Sequence, residues 1–419
     1  MKVTVVGGAS TYTPELVDGI ARLHDVLPVD TLVLADPAAD RLEVVGGMAR
    51  RMLAKAGHAA TVETTTDIDA GVTDSDAVLL QLRVGGQAAR MQDESWPLEC
   101  GCIGQETTGA GGLAKALRTV PIVLDIAEKV RQRAAKDAWI VDFTNPVGIV
   151  TRALMNEGHR AVGLCNVAIG FQRWFAELLA VSPDEVTLGH VGLNHLTWER
   201  SVTVGGRDVL PELVEKHAAE IGERVSQPEW LIRQLGVVPS YYLNYFYNHD
   251  REVEAARGAQ SRGARVAEME ALLLEMYADP AVDEKPALLG ERGGAFYSEA
   301  AINLLASLTA DRGDVQVVNL RNEGTLPFLP DDAVIEVPAT VTASGATAVP
   351  VDAVPPIYSG LISHTFSYEQ LALDAAIHGG RARVFEALLA HPLVGQVDQA
   401  EKLTDLLLAA NREHLGWAE

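Results

Sequence analysis

The sequence predicts an α/β fold in which a doubly wound parallel sheet, formed by the first part of the chain, is followed by an α+β part. Three observations lead to this prediction. Short β-branched runs alternate with longer helical stretches up to about residue 170, as expected of a parallel sheet covered by helices. A glycine-rich turn follows the first of these runs. Beyond about Phe171 the alternation is replaced by closely spaced apolar runs and a mainly helical region.

The first predicted strand leads into a turn suited to a dinucleotide. Lys2 to Val6 is apolar and β-branched, and Gly7-Gly8-Ala9-Ser10-Thr11 follows, before a helix that extends to about Leu23. A turn of this kind directs the N–H groups of the helix N-terminus at a pyrophosphate. A tight strand–helix turn without nucleotide stays open as the alternative, because Ala9 and Tyr12 stand where the second and third glycines are usual.

The second predicted strand supplies an acid at the position expected for ribose binding. The strand is Thr31 to Ala35, and Asp36 follows it directly. In dinucleotide-binding folds an acidic side chain at this place holds the ribose hydroxyls. The predicted NAD-contacting residues are Val6, Gly7, Gly8, Ala9, Ser10, Thr11, Asp36 and Arg83.

The alternation of strands and helices continues along the first part of the chain. Helices are predicted over residues 38–56, 113–135 and 147–156, and strands over 61–65, 77–81, 139–143 and 160–164. Segment 83–112 is glycine-rich without a clear period, which predicts a long functional loop. Asp36, Arg83, Asn145 and Cys165 each follow a predicted strand. We therefore expect them to share one site at the carboxyl edge of the sheet.

The second part of the chain is predicted to be α+β. Strands are predicted over 186–191, 196–204 and 315–320, helices over 262–277, 297–309 and from about residue 367, and a proline-rich, strand-like segment over 326–356. Segment 239–247 carries four of the nine tyrosines. No linker composition divides the chain. We expect a Rossmann-like NAD-binding domain (1–170) and a substrate and metal domain (171–419), packed as one unit as in lactate and malate dehydrogenases.

Composition limits the classes of partner. The formal charge of −23, from 57 acidic and 34 basic residues, argues against a nucleic-acid or anionic-membrane surface. An anionic ligand therefore requires a local cluster of arginines. The chain enters a strand directly after Met1, shows neither a signal-peptide pattern nor a membrane-long apolar run, and has three cysteines. We expect a soluble, cytoplasmic protein with reduced thiols.

Cys165 and His195 are candidate metal ligands. Each lies at the end of a predicted strand, Cys165 in Gly-Leu-Cys-Asn and His195 in Gly-Leu-Asn-His. A thiolate and an imidazole are suitable ligands for a divalent transition metal. The alternative for each alone is a structural role, since single cysteines and histidines are usually packing residues.

Eight segments along the chain together carry a resemblance to a known family. They are GGASTYTPEL, RVGGQAARMQDE, IGQETTGAGG, DFTNPVGIVT, GLCN, GLNH, the tyrosine-rich segment and RGGAFYSEAAINLL. In this order, from Val3 to about His414, they resemble glycoside hydrolase family 4 and look most like its 6-phospho-β-glucosidase branch. This NAD-dependent family is an exception to the two-carboxylate mechanism of most glycosidases.

The resemblance implies an NAD- and divalent-metal-dependent 6-phospho-β-glucosidase. In the family, hydride passes from sugar C3 to NAD⁺, a base removes the acidified C2 proton, the aglycone leaves C1, water adds and the hydride returns. NAD is needed because no side chain accepts hydride, and Mn²⁺, Co²⁺, Ni²⁺ or Fe²⁺ would stabilise charge developing near O2 and O3. The implied substrate is a phosphorylated disaccharide or aryl glucoside, and the implied assembly is a homodimer or homotetramer.

The resemblance also assigns roles to individual residues. Cys165 and His195 match the family's metal ligands, and Tyr242 matches its base, with Tyr241 as an alternative one position away. Glu106 matches a carboxylate that tunes this tyrosine. The matches to substrate-binding positions are Arg90, Asn145, Asn166 and Arg262, of which Arg262 would bind the phosphate.

Alternatives within and outside the family stay open. Asn166 stands where the α-glucosidase branch has an aspartate that acts as general acid, which favours β specificity but leaves the leaving-group acid unassigned. A lactate/malate-type 2-hydroxy-acid dehydrogenase shares the N-terminal half and the Thr-Asn-Pro-Val segment, but would accumulate NADH. A non-catalytic NAD- or sugar-sensing protein would require loss of Tyr242, Cys165 or His195, all of which are present.

Overall fold

One mixed, 13-stranded sheet runs through the part of the chain that the computed structural model describes, residues 1–294 and 296–418. The strands are β1 (Lys2–Val6), β2 (Thr31–Ala35), β3 (Thr61–Thr65), β4 (Ala77–Leu80), β5 (Trp139–Asp142), β6 (Ala161–Gly163), β7 (Val186–Leu193), β8 (Leu196–Val204), β9 (Arg207–Asp208), β10 (Val238–Pro239), β11 (Asp314–Arg321), β12 (Val334–Thr342) and β13 (Gly345–Ala348). Their order is β10-β8-β7-β12-β11-β6-β5-β4-β1-β2-β3, with β13 beside β12 and β9 beside β8.

Helices cover both faces of this sheet. They are α1 (Thr13–Arg22), α2 (Ala39–Lys55), α3 (Ile68–Val72), α4 (Gly86–Ser95), α5 (Ala110–Arg133), α6 (Val147–Asn156), α7 (Val167–Leu179), α8 (Leu210–Val225), α9 (Glu229–Leu235), α10 (Asn244–Tyr247), α11 (His249–Arg257), α12 (Arg262–Ala278), α13 (Leu288–Glu291), α14 (Tyr297–Ala310), α15 (Pro356–His378), α16 (Arg381–Leu389) and α17 (Val397–Asn411). Alternate residues of β4 face different clusters of buried side chains. Leu79 packs with residues of α1, α2 and α14, whereas Leu80 packs with residues of α5, α6 and α15.

The six strands β3-β2-β1-β4-β5-β6 are parallel, which confirms the predicted doubly wound sheet. Strand order reverses between β1 and β4, and ligands of such sheets bind at this switch point. Val6 pairs with Ala35 and with Leu80. The residues that follow these strands, Gly7, Asp36 and Gln81, therefore emerge side by side at one edge.

Antiparallel strands extend the sheet beyond β6. Asn319 of β11 pairs with Gly163 of β6, and Glu336 of β12 pairs with Gly192 of β7. One continuous sheet thus crosses the predicted boundary at residue 170, which lies within α7. The division into two domains there stays a prediction.

Two predictions of local structure are wrong. Segment 83–112 is not a structureless loop, because it contains α4, a 3₁₀ turn (Trp96–Cys100) and the start of α5 at Ala110. The side chains of α4 that are buried are the charged Asp93 and Glu94, so an apolar period is missing from its sequence. The last helical region begins at Pro356 rather than near Ser367, since proline at the first turn of a helix is compatible with it.

Among the described residues, no helix is both long and apolar enough to cross a membrane.

Candidate active site

A cleft of about 1150 Å³ opens where the parallel strands end. Its walls include most of the predicted site residues, namely Gly7, Ala9, Ser10, Asp36, Arg83, Arg90, Glu106, Asn145, Asn166, Tyr242 and Arg262. Val6, Gly8 and Thr11 are buried behind the first turn. Cys165 and His195 are also buried, beneath the tyrosine-rich segment.

The turn after β1 is tightly packed against its neighbouring strands. Gly7 has φ +87°, and a Cβ atom there would lie 2.7 Å from the carbonyl oxygen of Gln81. A Cβ atom on Gly8 would lie 2.8 Å from Cα of Leu34. Only glycine fits these close approaches, and the turn therefore brings backbone N–H groups and the N-terminus of α1 to the cleft, as a pyrophosphate requires.

Asp36 is fixed beside this turn. Its Oδ2 accepts a hydrogen bond from the Ala9 N–H at 3.3 Å, and its Oδ1 accepts one from the Ala38 N–H at 2.9 Å. The carboxylate stands at the cleft wall next to the glycines. This arrangement fits a dinucleotide whose ribose hydroxyls donate to the acid.

Glu106 is surrounded by three cations. Its Oε2 accepts from Arg83 Nη1 at 2.7 Å and from Lys115 Nζ at 2.8 Å, and Arg90 Nη2 lies 3.6 Å from its Oε1. Burial raises the pKa of Glu106, but these cations outweigh burial and hold the pKa well below its usual range. Burial and Arg83 in turn lower the pKa of Lys115 to about 7. Glu106 is therefore an ionised electrostatic centre at neutral pH.

Lys115 was missed by the sequence analysis. It lies within α5, in a glycine- and alanine-rich stretch, and its side chain is only 3% exposed. Buried lysines are rare unless they are paired. A lysine inside an otherwise apolar part of a helix could have indicated a buried ion pair at this position.

A cluster of arginines lies at the N-terminus of α12. Arg90 Nε donates to Glu94 Oε1 at 2.7 Å, and Glu94 Oε2 accepts from the Gly263 N–H at 2.7 Å. Arg262 Nη2 donates to the Arg292 carbonyl oxygen at 2.6 Å. Burial and the neighbouring charges of Arg90, Arg265 and Arg292 lower the pKa of Arg262. Concentrated cations beside helix N–H groups favour an anion such as phosphate.

Cys165 and His195 are both buried, His195 against the ring of Tyr242 and Cys165 against Asn194, the residue before His195. Cys165 is 4% and His195 is 2% exposed, and His195 occupies a turn with φ +64°. Burial lowers the pKa of His195 to about 4, so its ring is neutral near pH 7. Its Nδ1 is buried and has no hydrogen-bond partner in the part of the chain that is described. A neutral ring with a free nitrogen is the state that binds a metal.

The thiol of Cys165 needs a cation in order to ionise. Burial raises the pKa of Cys165, and the charge of Glu336 adds to this effect, whereas hydrogen bonds from Tyr297 and Asn194 oppose it. A coordinating metal deprotonates such a thiol. No group of three or more His, Cys, Asp or Glu side chains suited to a metal occurs within residues 1–294 and 296–418. Cys165 and His195 would therefore be the two side chains of these types that hold a divalent metal, which would supply Lewis-acid chemistry at the cleft.

Tyr242 joins this pair to the cleft. Its ring is stacked on that of His195, and the ring of Tyr241 lies 4.6 Å away, centroid to centroid. Burial raises the pKa of Tyr242 well above its ordinary value, as do Tyr241 and Cys165. Without a nearby cation the phenol keeps its proton. Both tyrosines line the cleft, but Tyr242 is the one stacked on the candidate ligand.

The asparagines complete the wall between these regions. Asn145 follows β5 and lines the cleft, and its buried Oδ1 has no hydrogen-bond partner among the described residues. Asn166 lines the cleft at the N-cap position of α7. Amide groups in these places suit sugar hydroxyls, which both donate and accept hydrogen bonds.

Comparison with known proteins gives the same family over nearly the whole chain. Residues 2–181 match the family 4 glycosyl hydrolase model, and residues 190–394 match the family 4 glycosyl hydrolase C-terminal domain. A probable 6-phospho-β-glucosidase of Bacillus subtilis is 37% identical over 99% of this chain and 97% of its own. A phospho-α-glucosidase of Clostridium acetobutylicum is 27% identical over 100% of this chain and 98% of its own.

Solved structures show the same relationship. The 6-phospho-β-glucosidase of Thermotoga maritima, determined with manganese, NAD⁺ and glucose-6-phosphate, superposes with a TM-score of 0.92 at 33% identity, covering 99% of both chains. Malate dehydrogenase from Salinibacter ruber superposes with a TM-score of 0.54 at 19% identity, over 89% of this chain and 97% of its own. This second similarity confirms the predicted dehydrogenase-like architecture as a matter of fold. By its family models and its relatives, the chain belongs to glycosyl hydrolase family 4.

Proposed function

We propose that this protein is an NAD- and divalent-metal-dependent 6-phospho-β-glucosidase. The observation that carries the proposal is that one cleft joins the glycine turn with Asp36, the arginines at the N-terminus of α12, and Tyr242 above the Cys165–His195 pair. A dinucleotide, a sugar phosphate and a metal can thus meet around one sugar ring. The relatives named for this activity support the same assignment.

The chain's own residues bind the dinucleotide and the phosphate, orient the sugar ring and remove a proton from it. Asp36 and the turn after β1 hold the dinucleotide, and Arg262 with Arg90 holds the 6-phosphate, which fixes the sugar ring between them. Tyr242 accepts the C2 proton at its phenolic oxygen. When bound, NAD⁺ supplies the reversible hydride acceptor and the divalent metal supplies Lewis-acid polarisation near O2 and O3.

The electrostatics around Tyr242 fit this role. Burial keeps the phenol protonated in the absence of a cation. A divalent charge beside the ring favours the phenolate, so the base would form only where the metal is present. Glu106 is already engaged by Arg83 and Lys115, and its part is to balance these cations rather than to take the proton.

We further propose that the enzyme is specific for β-glycosides rather than α-glycosides. The named β-glucosidase of B. subtilis is 37% identical, against 27% for the α-glucosidase of C. acetobutylicum. Asn166 at the cleft wall cannot serve as the general acid that an aspartate would supply. An aryl or sugar leaving group would then depart with help from solvent.

The assembly and the compartment also remain proposals. We expect a homodimer or homotetramer, as the family resemblance implies. We expect the cytoplasm, because the pair needs Cys165 as a reduced thiol, and oxidation of it would destroy the site.

The deciding experiment is an assay of p-nitrophenyl 6-phospho-β-glucoside with and without NAD⁺, Mn²⁺ and a thiol reductant. Hydrolysis should require all three. The unphosphorylated glucoside and the 6-phospho-α-glucoside serve as controls and should be turned over far more slowly. Equal hydrolysis of the unphosphorylated compound would contradict the phosphate assignment, and equal hydrolysis of the α-glycoside would contradict the β assignment.

A further inference from the structure

The two candidate metal ligands are carried by strands that are not neighbours. Cys165 follows β6 and His195 follows β7, but β11 and β12 lie between these strands in the sheet. The strands β7, β12, β11 and β6 are connected through one row of paired residues. Gly192 pairs with Glu336, Glu336 with Asn319, and Asn319 with Gly163. Each of the outer junctions, β7 with β12 and β11 with β6, consists of a single register pair among the described residues.

The side chain of Glu336 holds this row together. Glu336 is 1% exposed. Its Oε2 accepts hydrogen bonds from Asn194 Nδ2 and from Asn319 Nδ2, both at 2.9 Å. Its Oε1 lies 2.9 Å from His190 Nε2. All the strands between the two candidate ligands therefore contribute to one buried hydrogen-bonded group.

His190 carries the positive charge of this group. Its Nδ1 lies 2.6 Å from Glu199 Oε1, so the ring sits between two carboxylates. Burial lowers the pKa of His190, but Glu199 and Glu336 outweigh burial and raise it to about 10. The ring is an imidazolium that donates to both acids. One positive charge between two negative charges leaves an excess of one negative charge beneath the site.

Asn194 links Glu336 to both candidate ligands, Cys165 and His195. It precedes His195 directly, and its side chain hydrogen-bonds the thiol of Cys165 as well as Glu336. The amide nitrogen is thereby turned toward the carboxylate and the thiol. If Glu336 did not accept from it, the amide would be free to rotate, and both the thiol and the following turn would lose a fixed neighbour.

We propose that Glu336 is a positioning residue of the metal site, which sets the separation of Cys165 and His195 through Asn194 and Asn319 and places a negative charge beneath the cation. The inference rests on the proposed function, because it assumes that the pair binds a divalent metal. Outer-shell partners of this kind typically contribute about 10- to 100-fold in metal affinity. A purely structural role would change stability and leave metal affinity unchanged.

The test compares Glu336→Gln with a matched control, Glu199→Gln, in the full-length protein with NAD⁺ present. Both variants remove one buried carboxylate from His190, but Glu199 has no hydrogen bond to either asparagine. The free Mn²⁺ signal in electron paramagnetic resonance gives the dissociation constant. We expect Glu336→Gln to weaken Mn²⁺ binding by about 10- to 100-fold. Glu199→Gln, which removes the same charge from the group but none of the bonds to the asparagines, should weaken it distinctly less.

A spectroscopic readout reports on the ligand geometry itself. With Co²⁺ as the probe, the thiolate-to-metal charge-transfer band depends on the bond to Cys165. We expect this band to shift or weaken in Glu336→Gln and to match the parent in Glu199→Gln. Affinity for NAD⁺, measured by calorimetry, should be unchanged in both variants, because the glycine turn lies at another part of the cleft.

The outcomes separate the inference from the proposed function. A parent protein that binds neither Mn²⁺ nor Co²⁺ overturns both. A parent that binds metal, together with a folded Glu336→Gln variant of parental affinity and spectrum, overturns only the inference. If Glu336→Gln does not fold, Asn319→Ala takes its place, since it removes one donor from Oε2 and keeps the carboxylate. Parental Mn²⁺ affinity in that variant overturns the inference, and weakened affinity supports it.

Discussion

The imidazole ring of His195 lies flat against the phenol ring of Tyr242, with centroids 3.6 Å apart and 10° between the planes. The stack fixes the plane of the candidate ligand against that of the candidate base. The candidate metal ligand and the candidate base are thus held side by side. In the proposed mechanism the two would act on adjacent atoms of one substrate, by polarisation at O2 and O3 and proton abstraction at C2.

Cys165→Ser and His195→Ala should each abolish tight Mn²⁺ binding, because the described residues include no third His, Cys, Asp or Glu side chain placed to compensate for the lost ligand. Both variants should still bind NAD⁺. Both should lose exchange of the substrate C2 hydrogen with solvent deuterium, measured by NMR. Cys100→Ser is the control, since Cys100 lies outside the cleft. Parental exchange in Cys165→Ser would mean that Cys165 is only a packing residue.

Arg262→Ala should raise KM for the 6-phosphorylated substrate. A charged hydrogen bond contributes about 1.5–3 kcal/mol, which corresponds to about ten- to a hundredfold in binding. Arg265→Ala is the matched control, because Arg265 lies one turn further along α12 and does not line the cleft. Steady-state kinetics on both variants would decide the matter. An equal effect of the two substitutions would indicate general electrostatics rather than a phosphate contact.

Asp36→Asn should weaken NAD⁺ binding, since the amide lacks the negative charge and one of the two oxygens with which the carboxylate would accept from the ribose hydroxyls. The expected loss is about ten- to a hundredfold, measurable by calorimetry. Asp40→Asn, an exposed acid of α2, should bind NAD⁺ as the parent does. In turnover by the parent, NADH should not accumulate with product. Stoichiometric NADH would instead favour the dehydrogenase.

Asp93→Asn should destabilise the fold strongly. Arg118 donates to both carboxylate oxygens of Asp93 and also to Asn411, so α5 is tied to α4 and to α17. Removing one partner of a buried ion pair costs about 3–5 kcal/mol. Asp405→Asn breaks the exposed pair with Arg381 and should cost less than about 1 kcal/mol. Urea unfolding of both variants provides the measurement, and similar midpoints would refute the buried-pair argument.

Titration of His391 should make the free energy of unfolding depend on pH. Burial lowers its pKa from 6.5 to about 3, and its Nδ1 accepts from the Leu393 N–H at 3.0 Å. Between these two pH values the unfolded chain binds a proton that the folded chain does not. The contribution is therefore present above about pH 6.5 and is lost as pH falls toward 3.

The variant His391→Asn keeps an acceptor for the Leu393 N–H and removes the titration. Its free energy of unfolding should fall less steeply than that of the parent, by up to about 1.4 kcal/mol per pH unit. Denaturant unfolding at several pH values between 7 and 4 measures both slopes. Parallel slopes would show that His391 does not titrate in this range.

Sequence patterns predicted the strands and helices that bury apolar side chains, and they missed helix α4, which buries charged ones. The bounds of β1, β2 and β3 follow from β-branched runs and are as predicted. Helix α4 was missed because the residues it buries are acids paired with arginines. Arg118 lies in α5 and Arg90 lies within α4 itself, and neither ion pair produces an apolar period in the sequence.

The same reason applies to the site. Residues that follow strands could be placed at one edge in advance, because parallel strands end together. The group of His190, Glu199 and Glu336 could not, since each is one buried ionisable residue in a different strand, and the three strands, β7, β8 and β12, are not all consecutive in the chain. A charged residue within a buried strand indicates that a partner of opposite charge or a hydrogen-bond partner lies nearby, but the sequence does not show which residue that is.

The order of strands in the sheet sets an order of events during synthesis. The strands that precede Cys165 and His195 are complete by residue 193, whereas the strands that lie between them span residues 314–342. Until the ribosome has passed that later segment, β6 and β7 each present an unpaired edge to the cell. The proposed metal site therefore requires β11 and β12 as well as the strands that carry its two ligands, and a chain that stops before residue 314 would present open strand edges instead of that site.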